Sequence, residues 1–132
     1  MKKSGILHAQ LSRLIASMGH ADLLVIGDAG LPVPPGVETV DLALVQGVPG
    51  FLETLSAVLG EFHAEKAIID TEQADVSPEF HARFKRAWPE SIPLEAVPHA
   101  ELQEMVKGAR AVVRTGEFTP YANIVLVAGV LF

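Results

Sequence analysis

The 132-residue chain contains no cysteine, which excludes disulfides and thiolate metal sites. Basic charge is also scarce: ten Lys and Arg face sixteen Asp and Glu, for a formal net charge of -6. A partner bound through a phosphate backbone needs a basic patch to release counterions. Lys2-Lys3 is the only adjacent lysine pair, too little for a nucleic-acid arm. Long apolar runs are missing too. The greasiest stretch, Ile124–Phe132, falls far short of the ~20 residues that span a bilayer. The N-terminal MKKSGILHAQLSRL has a basic start but neither a long apolar core nor a small-residue cleavage site, so no secretory signal is read. A soluble, cytoplasmic protein is expected, with no nucleic-acid or membrane partner.

Chemical motifs are equally sparse. His8, His20, His63, His81 and His99 form no H-x-x-x-H pair and no zincin spacing, so no metal site is expected. There is no G-x-S-x-G elbow, no G-x-G-x-x-G and no P-loop; Gly27-Asp28-Ala29-Gly30 is a phosphate-loop resemblance at best. Nothing in the sequence supports a redox cofactor or nucleotide hydrolysis.

What is present is a globular composition, 49% hydrophobic and 20% charged, of a length that suits a single domain over residues 1–132. Leu7, Leu11, Leu14, Ile15 and Met18 recur at helical spacing, with Gly19 placed as a left-handed C′ residue. Leu23–Ile26 reads as a strand buried on both faces, ending in the turn-forming stretch GDAGLPVPPG. Val37–Leu44 reads as a second strand. Pro49 opens a helix through Leu52, Leu55, Val58, Leu59 and Phe62, and Lys66–Ile69 forms a third strand. Ser77-Pro78-Glu79 reads as a helix start with Ser77 as cap, running through Phe80, Phe84 and Trp88. Leu94–Val97, a helix after Pro98-His99, and the strands Ala111–Arg114 and Ile124–Val127 complete the series. This alternation predicts an α/β fold in three layers, with helices on both faces of a mostly parallel or mixed sheet.

Ligands in such sheets gather beyond the carboxyl ends of the strands, where Asp28 falls. Asp28 also suits an Asx-turn. His20 follows a helix terminus; it reads either as a cap on the last carbonyls or as a general acid–base group, since His titrates near neutrality. His99 reads as a helix-opening residue or a ligand. His63 and His81 read as solvated positions inside amphipathic helices. Tyr121 and Asn123, flanking Ala122, bring the donors and acceptors that hydroxyl-rich ligands need. The segment Thr115–Asn123 is expected to be a ligand loop held between strands, and Ile124–Phe132 a strand buried in the sheet or against another subunit.

Taken together, Lys2-Lys3 with Gly5, Gly19-His20, Asp28-Ala29-Gly30-Leu31-Pro32, Asp41, Gln46-Gly47-Val48-Pro49, Arg114-Thr115-Gly116-Glu117, Pro120-Tyr121-Ala122-Asn123 and the apolar end resemble the D-ribose pyranase family. The related fucose mutarotases share the general plan. The resemblance implies a cofactor-free isomerase that interconverts the pyranose and furanose forms of free D-ribose beside an uptake system and a kinase. It implies His20 as the catalytic acid, with Asp28, His99, Tyr121, Ala122 and Asn123 binding ribose. It also implies a ring-shaped homo-oligomer, a decamer. The family pattern Phe-Lys after this last histidine is replaced by Leu102-Gln103, so Gln103 offers a hydrogen bond where a cation is usual. Two alternatives use the same residues. One is a non-catalytic sugar-binding accessory of a ribose transporter or kinase, with His20 as a helix cap. The other is a mutarotase of another free sugar such as fucose.

The assigned roles raise a problem of reach. A strand separates His20 from Asp28, and six extended residues span roughly 20 Å. Two side chains and one pentose fall short of that gap, so each site is expected to combine His20 of one subunit with Asp28 of its neighbour.

Overall fold

The computed structural model describes residues 1–132. Strands β1 (Leu23–Gly27), β2 (Glu38–Asp41), β3 (Ala64–Asp70), β4 (Leu94–Val97), β5 (Ala111–Arg114) and β6 (Ile124–Ala128) form one sheet in the order β2-β5-β1-β6-β3-β4. β5 is parallel to both β1 and β2, and β3 is parallel to β4. β6 lies between β1 and β3 and runs antiparallel to both. Five strands therefore point one way and one is reversed, the mixed sheet that the alternation implied.

The period of two sorts side chains onto the two faces of the sheet. Leu24 and Ile26 of β1 join one core with Ala111 and Val113 of β5 and Ile124 and Leu126 of β6. Val25, Val112, Val125 and Val127 join the other. Both faces are covered, which is why these strands are almost continuously apolar. Helices α1 (Ala9–Ser17), α2 (Phe51–Leu59) and α4 (Pro78–Ala87) cover the first face with Leu11, Leu14, Phe51, Leu55, Phe80 and Phe84. Phe51 meets Phe80 edge-on at 5.6 Å between ring centroids. Helix α5 (His99–Val106) covers the second face with Leu102 and Val106. The short α3 (Glu72–Val76) leads directly into α4. No helix is long and apolar enough to cross a membrane.

Several local expectations change. Gly19 is not left-handed; Met18 caps α1 in an extended conformation, and the turn places Ala21 at φ 70° instead. β2 covers only Glu38–Asp41 of the expected Val37–Leu44. α2 begins at Phe51 rather than Pro49, because the Glu53 carboxylate accepts the Gly50 N–H at 2.6 Å and starts the helix there. Phe62 and His63 lie beyond it, though His63 is exposed as expected. Ser77 holds the N-cap position of α4 with Pro78 as its first residue, as expected, but its hydroxyl makes no cap hydrogen bond and donates instead to the Pro120 carbonyl at 2.9 Å. Trp88 follows α4 as its C-cap. His81 is half-buried rather than solvated, with Nδ1 2.9 Å from the Gln73 side-chain oxygen. Strand β6 stops at Ala128, leaving Leu131 and Phe132 exposed.

Residues 115–123 connect β5 to β6 in a hook pinned at several points. The Thr115 hydroxyl donates to the Gly27 carbonyl at 2.8 Å, and the Ala29 N–H donates to the Glu117 carbonyl at 2.8 Å. Glu117 Oε1 in turn accepts the Phe51 N–H at 3.0 Å, satisfying a free donor at the start of α2. Gly116 is wedged against the loop before α2. A Cβ there would stand 2.6 Å from the Val45 carbonyl oxygen and 2.7 Å from that of Val48. Neither backbone group can move aside cheaply. Gly116→Ala is expected to cost about 1–3 kcal/mol, measured as a lowered denaturant midpoint with unchanged m-value.

Candidate functional site at the carboxyl edge of the sheet

The carboxyl ends of β1, β3 and β5 and the start of β6 meet at one edge of the sheet. There the apolar runs stop and polar residues begin: Asp28 just after β1, Asp70 as the last residue of β3, and Asn123 just before β6. His99 opens α5 immediately after β4. Asp28, Gly30, Leu31, Pro32, His99, Pro120 and Tyr121 line a cavity of about 260 Å³. An adjoining hollow of about 410 Å³ shares Asp28, Gly30 and Pro120, and extends towards Arg114 and Phe118.

Beneath the cavity a hydrogen-bonded chain fixes the polar groups. The Asp28 N–H donates to Asn123 Oδ1 at 3.0 Å. That contact sets the orientation of the amide, because a backbone nitrogen can only donate. Asn123 Nδ2 therefore faces Asp70 and donates to Oδ2 at 2.9 Å. Asp70 Oδ1 lies 2.8 Å from His99 Nδ1, and the Asp70 side chain is 0% exposed. The His99 N–H donates to the Glu72 carboxylate, with 2.9 Å to Oε2 and 3.2 Å to Oε1. Tyr121 stands edge-on to the His99 ring at 5.1 Å. It adopts φ 63°, a left-handed conformation that costs a non-glycine residue roughly 1–2 kcal/mol. Hydrogen bonds hold it there: Gln73 Nε2 donates to the Tyr121 carbonyl at 3.1 Å, beside the Ser77 bond to Pro120.

Burial raises the pKa of Asp28, against hydrogen bonds from the Gly30 N–H and the charge of His99. Burial likewise raises that of Asp70, against the Asn123 and His99 hydrogen bonds. Glu72 is lowered, chiefly by the Thr71 hydroxyl.

Three polar atoms stay free. Asp28 Oδ2, His99 Nε2 and the Tyr121 hydroxyl make no hydrogen bond within the chain, yet no buried side-chain polar atom lacks a partner. These atoms are therefore accessible, and they belong to residues that line one cavity. The arrangement can bind several hydroxyl groups in a fixed pattern and move a proton.

Of the residues expected at the site, Asp28, His99 and Tyr121 reach the cavity wall. Ala122 and Asn123 are buried at 0% and 1% exposure, so Asn123 orders the floor. The Asx-turn reading of Asp28 also holds, since Oδ1 accepts the Gly30 N–H at 2.9 Å. Gln103 is half-buried on α5 and makes no side-chain hydrogen bond. His20 is elsewhere. It precedes β1 at the opposite edge, where the Ala21 N–H donates to the Ala128 carbonyl at the end of β6. Its ring is exposed and caps no helix carbonyl; Nε2 lies 3.0 Å from Glu65 Oε2. The helix-cap reading of His20 is thereby corrected.

The sequence model of the RbsD / FucU transport protein family matches residues 1–131. The chain belongs to this family. The D-ribose pyranase of Laribacter hongkongensis is 50% identical over 133 residues, covering all of both chains. Among solved RbsD / FucU structures, Bacillus subtilis RbsD complexed with D-ribose superposes at TM-score 0.95 with 44% identity, covering all of both chains. The fucose mutarotase of Streptococcus pneumoniae, in complex with L-fucose, shares the fold at TM-score 0.76 and 20% identity, over 96% of this chain and 95% of that one.

The sequence reading passed over Asp70, although it has the same signature as Asp28 in this RbsD / FucU chain. Each ends an apolar run, LLVIGD in one case and AIID in the other. The central amide provides a direct test of the floor. Asn123→Asp would set a second carboxylate against Asp70, and such a pair holds one proton tightly. A carboxyl pKa raised in the folded state contributes stability below the unfolded value and loses it as pH rises through the folded value. Denaturant titrations are expected to show the variant near wild type at about pH 4. By pH 8 it should be weaker by about 3–5 kcal/mol.

Proposed function

We propose that this chain is a D-ribose pyranase, interconverting the pyranose and furanose forms of free D-ribose. The observation that carries this reading is the full-length match to Bacillus subtilis RbsD complexed with D-ribose, at TM-score 0.95 and 44% identity. A second support is the curated D-ribose pyranase at 50% identity over the whole chain. The carboxyl-edge cavity suits the task, because Asp28, His99 and Tyr121 on its wall offer the donors and acceptors that sugar hydroxyls need.

The reaction asks little of a protein. A proton leaves the anomeric hydroxyl, another reaches the ring oxygen, and the open aldehyde recloses through a different hydroxyl. One positioned acid–base group contributes about 10²–10⁴-fold. In our reading Asp28, His99 and Tyr121 hold the sugar while the backbone around Ala122 and Asn123 shapes the floor. His20 is the acid. Because His20 and Asp28 sit at opposite ends of β1 within one chain, His20 is delivered by a neighbouring subunit of a homo-oligomer, and each site lies at a subunit junction. The exposure of His20 on the amino edge agrees with that role.

Saturation-transfer NMR between ribopyranose and ribofuranose signals tests the activity. The wild type is expected to accelerate exchange and His20→Ala to abolish the acceleration; no acceleration by the wild type would end this reading. Mixing subunits tests the shared site. His20→Ala and Asp28→Asn oligomers, each inactive, should regain about a quarter of wild-type activity once subunits are randomly exchanged, since one junction in four then carries both native residues. Absence of any recovery in verified mixed oligomers would place both residues in one subunit.

A further inference from the structure

Resting on that reading, we propose that His99, held by Asp70, is the base that accepts the anomeric proton. Asp70 would act as a positioning residue that keeps His99 in the Nδ1–H tautomer. The geometry makes this specific. Asn123 must present its amide nitrogen to Asp70 Oδ2, because its oxygen is committed to the Asp28 N–H. Asp70 is thus an acceptor at Oδ2, which favours its ionised form. Its other oxygen, 2.8 Å from His99 Nδ1, then accepts the Nδ1 proton. In neutral imidazole one nitrogen donates and the other accepts. With Nδ1–H turned down to Asp70, the lone pair is on Nε2, the atom left accessible beside the cavity.

The ring is also held in place. Glu72 grips the His99 N–H, Tyr121 packs edge-on against the imidazole, and the residue is 24% exposed. Asp28 is the other titratable group on the cavity wall. One of its oxygens is committed to the Gly30 N–H, and an ionised carboxylate is a weak base near neutrality compared with imidazole. A buried carboxylate behind a histidine, with the far nitrogen facing a cavity, is the arrangement that orients and stabilises a proton-accepting imidazole.

The step balances without a further reagent. On opening, the bond from C1 to the ring oxygen breaks and its electron pair stays on that oxygen, which takes a proton from His20 of the neighbouring subunit. The anomeric hydroxyl gives its proton to His99 Nε2 as the carbonyl forms. On reclosure a different hydroxyl adds to C1 and gives its proton to the now neutral His20, while the carbonyl oxygen regains a proton from His99. Both histidines return to their starting states, and nothing is oxidised or reduced.

The test combines exchange kinetics with ¹⁵N NMR of histidine-labelled protein. Wild-type acceleration is read first; its absence overturns the sugar reading and this proposal with it. Given acceleration, His99→Gln should lower kcat by about 10²–10⁴-fold. Asp70→Asn should lower kcat at least about tenfold while KM for ribose moves less than about threefold. The ¹⁵N shifts of wild-type His99 should report the neutral Nδ1–H tautomer, and Asp70→Asn should move the population towards Nε2–H. Wild-type kcat in His99→Gln overturns this assignment alone. So does a wild-type His99 found as the Nε2–H tautomer, an observation that needs no variant to fold. Loss of activity in Asp70→Asn through KM, with the tautomer unchanged, assigns Asp70 a purely structural part and also overturns it.

Discussion

The reversed direction of β6 organises the molecule. Parallel neighbours need a crossover of a dozen or more residues, usually with a helix. Because β6 runs against β1 and β3, nine residues are enough to turn from the end of β5 into its start. The turn therefore stays at the carboxyl edge, where ligands of α/β sheets collect. Tyr121 and Asn123 arrive beside Asp28 and Asp70 for that reason. The same reversal carries the other end of β6 to the amino edge, where Ala128 pairs with the chain beside His20. One strand thus links the two surfaces that the proposed chemistry needs, yet keeps them a sheet's width apart.

The carboxyl edge also shows how a small fold supports a polar floor inside an apolar body. Asp70, Gln73, Thr115 and Asn123 are all essentially buried, and each has a hydrogen-bonded partner. A fully satisfied network of this kind is rigid, whereas a half-satisfied one is costly. The left-handed Tyr121 draws on that rigidity, since Gln73 and Ser77 hold the carbonyls on either side of the turn. Strain at a binding loop persists where its surroundings over-determine it.

The periodic features were legible in the sequence. Leu23–Ile26 and Ala111–Arg114 read as strands because every residue but Arg114 faces one of two cores, and the alternation with helices gave the layers. Features that depend on partners far along the chain were not legible. The Glu65 contact of His20 spans 45 positions. The Ser77 hydroxyl is drawn off its helix by a carbonyl 43 positions away. Helix α3 escaped notice because five mostly polar residues carry no apolar period. Asp28 was found by its place after a strand, and the same rule applied to β3 would have found Asp70. The left-handed turn belongs to Ala21, not Gly19, since the Asp22 carboxylate accepts the Gly19 N–H at 2.9 Å and settles the loop differently.

In the reading proposed above, the site is divided between the two ends of β1 and is completed only by a neighbouring subunit. The most direct test is ring-exchange activity per subunit, followed as the protein is diluted through its dissociation while native mass is recorded in parallel. Activity should fall in step with the assembled fraction and vanish in the 14.1 kDa species. A 14.1 kDa monomer with undiminished activity per subunit would contradict the account.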